Sequence, residues 1–161
     1  MFSLTQTPEL KDLVTFVPNK FEPIHNWYYY KEGYSRGLVD FFISKFGIAK
    51  ENIVLDPFCG VGTTLLACKQ AEIRAVGFDT SPLAVFVSQV KTANYNLENL
   101  EQAVRAALKW KFSRPNEIPR SDWLKRAFSK YALEDIFFYK QKIFGVENPI
   151  EKNFLSLGLM D

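Results

Sequence analysis

Two carboxylates carry most of the chemical promise of this sequence. Asp56 ends the apolar run Val54-Leu55, and Asp79 ends the run Ala75-Val76-Gly77-Phe78. After Asp56 comes the loop Pro57-Phe58-Cys59-Gly60-Val61-Gly62 and then Thr63-Thr64, the pattern of a strand, a glycine turn and the first turn of a helix. Acids at the ends of two neighbouring strands, with a glycine turn between them, make a nucleoside-cofactor site. A dinucleotide loop would place a third glycine where Leu65 stands, and a nucleotide-triphosphate loop would follow Gly62 with Lys and then Ser or Thr. Neither pattern is met. A carboxylate at the strand end repels phosphate but suits an ammonium group. The set therefore points to S-adenosylmethionine. Asp56 accepts from its ammonium, and the helix start at Thr63 and Thr64 faces its carboxylate. Gly60 and Gly62 let it approach the backbone. Asp79, one strand over, accepts from both ribose hydroxyls.

The run Asp56-Pro57-Phe58-Cys59-Gly60-Val61-Gly62-Thr63-Thr64 resembles the cofactor motif of the DNA amino-methyltransferases, which methylate N6 of adenine or N4 of cytosine. Gly77-Phe78-Asp79-Thr80-Ser81-Pro82-Leu83-Ala84 is similar to their second cofactor motif, and Trp27 to Arg36 sits where members with this motif order carry an N-terminal cofactor segment. The resemblance covers roughly residues 24–92. It implies an α/β, Rossmann-like class I methyltransferase core that binds S-adenosylmethionine. It further implies cofactor contacts from Lys31, Tyr34 and Ser35 near the methionine end, from the loop residues Asp56 to Gly60 with Gly62, Thr63 and Thr64, and from Asp79, Thr80 and Ser81.

The same resemblance calls for a catalytic tetrapeptide of Asp, Asn or Ser followed by Pro-Pro and an aromatic, which aligns the target amine with the methyl. None of the 8 prolines adjoins another, and the nearest sequence is Asn148-Pro149-Ile150. No catalytic residue is therefore assigned. The chain reads as the cofactor-binding portion of a DNA amino-methyltransferase, truncated or split, and inactive alone. Two other readings stay open: a fragment of a tRNA guanine methyltransferase, whose motif is similar, and a non-catalytic S-adenosylmethionine-binding subunit.

With 161 residues, 47% apolar and 16% aromatic, the chain can bury a core. No run approaches the ~20 apolar residues of a membrane span, and the start Met1-Phe2-Ser3-Leu4-Thr5-Gln6 lacks the basic and apolar parts of a signal peptide. A cytoplasmic chain is expected, with Cys59 and Cys68 reduced and in no metal-ligand spacing. Cys59 reads as a small residue filling a tight turn, and His25 as a surface or hinge residue before the aromatic segment. Tyr28, Tyr29 and Tyr30 suit either stacking on a base or packing of the core. From Arg105 to Lys130 eight basic residues (Arg105, Lys109, Lys111, Arg114, Arg120, Lys125, Arg126 and Lys130) face only Glu117 and Asp122, with Trp110, Phe112 and Trp123 between them. That segment suits a surface contacting DNA phosphates, or a solvated helical face over buried aromatics.

The elements that must position these residues follow from the pattern. Residues 1–23, with Pro8, Pro18 and Pro23, predict an extended arm. Residues 24–94 predict the cofactor-binding core. Within it Ser35 caps a helix ending at Gly47, strands cover 53–56 and 73–78, and helices cover 63–70 and Pro82 to about Asn94. Residues 95–161 predict a helical extension with helices at 98–111, at 121–144 as one or two, and at 151–159, with Asn148-Pro149 as a breaker. Two strands leave a sheet edge unpaired. A second polypeptide, self-association or the helices of 98–159 is expected to cover it.

Overall fold

A computed structural model describes residues 7–119 and 121–160. They form two compact units that divide between Ala93 and Asn94. The architecture is α/β and rich in helix, with a two-stranded parallel sheet.

In the first unit, α1 (Arg36–Lys45) starts at Ser35, whose Oγ accepts from Leu38 N, and ends before Gly47 at φ +60°. β1 (Ile53–Asp56) and β2 (Arg74–Gly77) pair in parallel, with Ile53 opposite Arg74 and Asp56 opposite Gly77. This register brings both strands to an end at the same level, beside Asp56 and just short of Asp79. The crossover is α2 (Thr63–Gln70), of which Thr63, Thr64, Leu66, Ala67 and Cys68 are buried. α3 (Pro82–Thr92) begins with proline, whose missing N–H costs nothing in a first turn. Lys69 of α2 donates through Nζ to Thr92 O at 2.6 Å and Ala93 O at 2.7 Å, so a cation closes the carbonyl end of α3.

One face of the sheet is packed and one is not. Val54 and Ala75 join the cluster of Val39, Ala67, Cys68 and Ile73, with Tyr34, Ile43 and Ile48 around it. On the opposite face Leu55 is 62% exposed and Phe78 61%, with Ile53 and Val76 also exposed. Parallel strands are ordinarily covered on both faces.

The residues before α1 do not run extended over their described part. They coil into short 3-10 turns at Pro8–Leu10, Val17–Phe21 and His25–Trp27. The reason is long-range: Phe16 and Asn19 are buried, and Leu13 O accepts from both Ser35 N and Ser35 Oγ. His25 is not at the surface either. It is 1% exposed, and its carbonyl accepts from Lys91 Nζ at 2.9 Å.

The second unit holds α4 (Leu97–Leu108), α5 (Asp122–Ala127), α6 (Lys130–Phe144) and α7 (Pro149–Met160). The stretch 121–144 is two helices because Phe128 is extended (φ −132°, ψ 146°) and Ser129 caps a new start by accepting from Ala132 N. Asn148 caps α7, its Oδ1 accepting from Ile150 N at 2.9 Å, so the Asn-Pro pair opens that helix. Among the described residues no third strand is present, and no helix is long and apolar enough to cross a membrane.

Candidate functional site

The loop between β1 and α2 is held in shape by its own backbone and by the two carboxylates. Phe78 N donates to Asp56 O at 3.0 Å and Cys59 N donates to Phe78 O at 2.9 Å, which carries the strand pairing past the strand ends. Gly60 (φ +51°) and Gly62 (φ +82°) both take the left-handed conformation that glycine adopts without strain. Their reasons differ. A Cβ on Gly60 would stand 3.2 Å from the Tyr30 ring, whereas one on Gly62 would stand 2.5 Å from Ser88 Oγ and 2.9 Å from Ser88 Cβ. Gly62 thus serves the packing of α2 on α3.

Asp79 is the fulcrum of the loop. Its Oδ2 accepts from Gly60 N at 2.9 Å and its Oδ1 from Ser81 N at 2.8 Å. Ser81 in turn caps α3 by accepting from Ala84 N. A carboxylate offers about four lone-pair positions, so two remain for another molecule. Asp56 is also engaged. Its Oδ1 accepts from Phe58 N at 3.1 Å, and its Oδ2 accepts from the Tyr34 hydroxyl at 2.7 Å. The same Tyr34 oxygen makes a short contact with Thr64 Oγ1. With its proton committed to Asp56, Tyr34 takes that second bond as acceptor from the Thr64 hydroxyl. Burial, with Asp56 alongside, pushes the ionisation of Tyr34 well above the ordinary tyrosine range.

A cleft of about 200 Å³ opens above this framework, lined by Tyr30, Glu32, Gly33, Tyr34, Phe58, Cys59, Gly60, Val61, Thr63 and Asp79. Of the residues singled out from sequence, Tyr34, Phe58, Cys59, Gly60, Thr63 and Asp79 meet there. Lys31, Ser35, Asp56, Pro57, Gly62, Thr64, Thr80 and Ser81 do not line it. Ser35 is fully buried and spends its hydroxyl on Leu13 O and on the cap of α1. Lys31, Pro57 and Thr80 are exposed. The cleft adds Tyr30, Glu32, Gly33 and Val61, which sequence reasoning did not assign. The thiol of Cys59 is buried beside Asp56 and Asp79, and burial first and those charges second push its ionisation up, the opposite of an activated nucleophile. No described group of three metal-ligating side chains exists.

The sequence profile of the DNA methylase family matches residues 12–90, a stretch that holds the whole loop, both acids and the cleft. Residues 12–90 belong to the DNA methylase family. Over 97 residues the chain is 41% identical to the type II methyltransferase M.BsoBI of Geobacillus stearothermophilus, which is 59% of this chain and 19% of that relative. It is 36% identical over 81 residues to the type II methyltransferase M.AvaI of Nostoc sp., 50% of this chain and 17% of that one. It is 32% identical over 80 residues to the type II methyltransferase M.MjaII of Methanocaldococcus jannaschii, 49% of this chain and 15% of that one. The match thus spans less than a fifth of each of these relatives. No solved structure matches the chain.

The DNA methylase match ends before α4, so the basic segment lies outside it. Arg120 falls outside the described residues. Of the others, Arg105 pairs with Glu101, Arg114 with Glu134 at 3.5 Å, and Lys125 with Asp122 at 3.8 Å. Lys109, Lys111, Arg126 and Lys130 are exposed. The aromatics divide. Trp123 is 70% exposed and Phe112 55%, while Trp110 packs near Tyr139 at 6.3 Å between ring centres.

Proposed function

We propose that this chain binds S-adenosylmethionine in the cleft between Tyr30 and Asp79, as the cofactor-binding part of a DNA amino-methyltransferase with a Rossmann-like core. The observation that carries this reading is the charge of the lining. Two carboxylates, Glu32 and Asp79, face the cleft, and none of its lining residues is Lys or Arg. Such a lining rejects a pyrophosphate and fits a cation that bears hydroxyls. When bound, S-adenosylmethionine supplies an electrophilic methyl group on a sulfonium. Asp79, with two lone-pair positions left after Gly60 and Ser81, accepts from the ribose hydroxyls. Glu32 supplies negative charge for the cationic end. Tyr30 and Phe58 give the cleft aromatic walls. Asp56 acts one layer back, by holding the Tyr34 hydroxyl.

The cleft is smaller than the ~300–1,000 Å³ of closed ligand pockets. In this reading it grips part of the molecule, and polypeptide outside this sequence walls the rest and covers Leu55 and Phe78. The same polypeptide supplies the Pro-Pro-aromatic tetrapeptide, so the chain alone transfers no methyl. The helical unit contacts DNA through Lys109, Lys111, Arg126, Lys130 and the exposed Trp123. The family match favours DNA over RNA as the substrate. The assignment places the chain in the cytoplasm, with both cysteines reduced.

Calorimetric titration with S-adenosylhomocysteine and, separately, with a nicotinamide dinucleotide tests the assignment. Saturable heat with the first and none with the second is expected. No heat from S-adenosylhomocysteine at millimolar concentration overturns the cofactor assignment, and preference for the dinucleotide overturns the charge argument.

A further inference from the structure

The backbone around Tyr34 is tied down from a distant part of the chain. Three consecutive residues are held. Asn19 Nδ2 donates to Tyr34 O at 3.0 Å, Ser35 N and Oγ both donate to Leu13 O at 2.9 Å, and Arg36 N donates to Asn19 Oδ1 at 2.8 Å. Asn19 is 0% exposed, and both ends of its amide are used. Glu22 adds an ion pair to Arg36 at 3.2 Å. The side chain of Tyr34 leaves this clamp and enters the space between β1 and α2, where its hydroxyl meets both Asp56 and Thr64. The geometry therefore runs in series: Asn19 fixes the peptide of Tyr34, and Tyr34 fixes Asp56 and the first turn of α2.

We propose that Asn19 is a positioning residue of the cofactor site, acting through Tyr34, so that residues 13–22 are part of the binding machinery and not an accessory arm. This inference rests on the cofactor reading above. The family match, which begins at residue 12, takes in the same segment. An amide is suited to the task because one side chain must accept from Arg36 N and donate to Tyr34 O. Asp, Ala or Leu can satisfy at most one of the two.

Two measurements separate a positioning role from a merely stabilising one. The first uses S-adenosylhomocysteine affinity, read per folded molecule, in the wild type, Asn19→Ala, Tyr34→Phe and the double variant. A residue that acts through Tyr34 gives a single-variant loss of about tenfold, the scale of one net hydrogen bond, and no further loss in the Tyr34→Phe background. Unchanged affinity in folded Asn19→Ala, or full additivity in the double variant, overturns the inference. The second needs no ligand. The Cζ resonance of Tyr34 in 13C-tyrosine-labelled protein is followed against pH, assigned by its disappearance in Tyr34→Phe. In the wild type it stays unmoved while exposed tyrosines ionise. In Asn19→Ala, which removes the donor to Tyr34 O and adds no charge, it is expected to move with them. An unmoved signal there refutes the relay, even if wild-type chain binds no cofactor.

Discussion

Removing the carboxylate of Asp79 is expected to cost stability as well as binding, and the structure sets the scale. Asp79 accepts two backbone N–H bonds, from Gly60 at 2.9 Å and from Ser81 at 2.8 Å, and these join the glycine loop to the start of α3. Hydrogen bonds to a charged acceptor are worth roughly 1.5–3 kcal/mol each. Asp79 is only half-buried, so the lower part of that range applies, giving a loss of about 2–4 kcal/mol for Asp79→Ala. For a unit of this size each kcal/mol moves the midpoint by roughly 4–8 °C, so a fall of ~10–25 °C is expected. Asp79→Asn keeps one acceptor oxygen and should lose about half as much. Thermal melts followed by circular dichroism, checked by urea denaturation, read both values. A loss under ~0.5 kcal/mol for Asp79→Ala would refute the claim that this carboxylate ties the loop.

Three further outcomes follow from the same geometry. Gly62→Val should destabilise the first unit by about 3 kcal/mol or more, because its Cβ would overlap Ser88 and its φ is left-handed; if Gly62→Ala melts like wild type, Ser88 is not the obstacle. Burial lowers the pKa of His25 from 6.5 to about 4, so the unfolded chain binds the extra proton between those values. The stability that neutral His25 carries, about 3 kcal/mol at most, is full above pH 6.5 and is lost as the pH falls toward 4; urea denaturation across that window should show a steeper decline in wild type than in His25→Gln. Lys91→Met should cost about 2–4 kcal/mol, since the ammonium donates to His25 O at 2.9 Å and Tyr28 O at 3.3 Å; a neutral result in denaturation would show that those carbonyls find other donors.

What the sequence made legible was local. The order of strand, glycine loop and helix around Asp56 follows from residues within ten positions of one another, and Ser35 and Gly47 bracket α1 by capping chemistry that is equally short-range. The end of α4 at Leu108, three residues before the expected one, has no glycine or proline beside it to mark it, and the break at Phe128 is marked only by the cap that Ser129 gives the next helix. The segment 7–27 was the least legible. Its prolines suggested extension, but Phe16 and Asn19 are buried by partners that stand far along the chain. The cleft shows the same division. Asp79 and Gly60 were evident as types at meaningful spacing. Tyr30 and Glu32 lie in a turn without periodicity, so nothing in the sequence says which of three successive tyrosines faces the loop. At Gly62 the close neighbour that demands a glycine is Ser88, which stands 26 positions along the chain and which the loop pattern does not reveal.

In the reading proposed above, S-adenosylmethionine sits in the cleft lined by Asp79. Titrating the 15N-labelled chain with S-adenosylhomocysteine and following the assigned amide resonances tests it most directly. Saturable shifts are expected at Gly60 and Ser81, whose N–H groups share the Asp79 carboxylate, and at Gly33 and Val61 in the lining. Saturable shifts confined to the second unit, such as the apolar groove formed by Leu108, Ile143 and Leu159, with Gly60 and Ser81 unmoved, would contradict it.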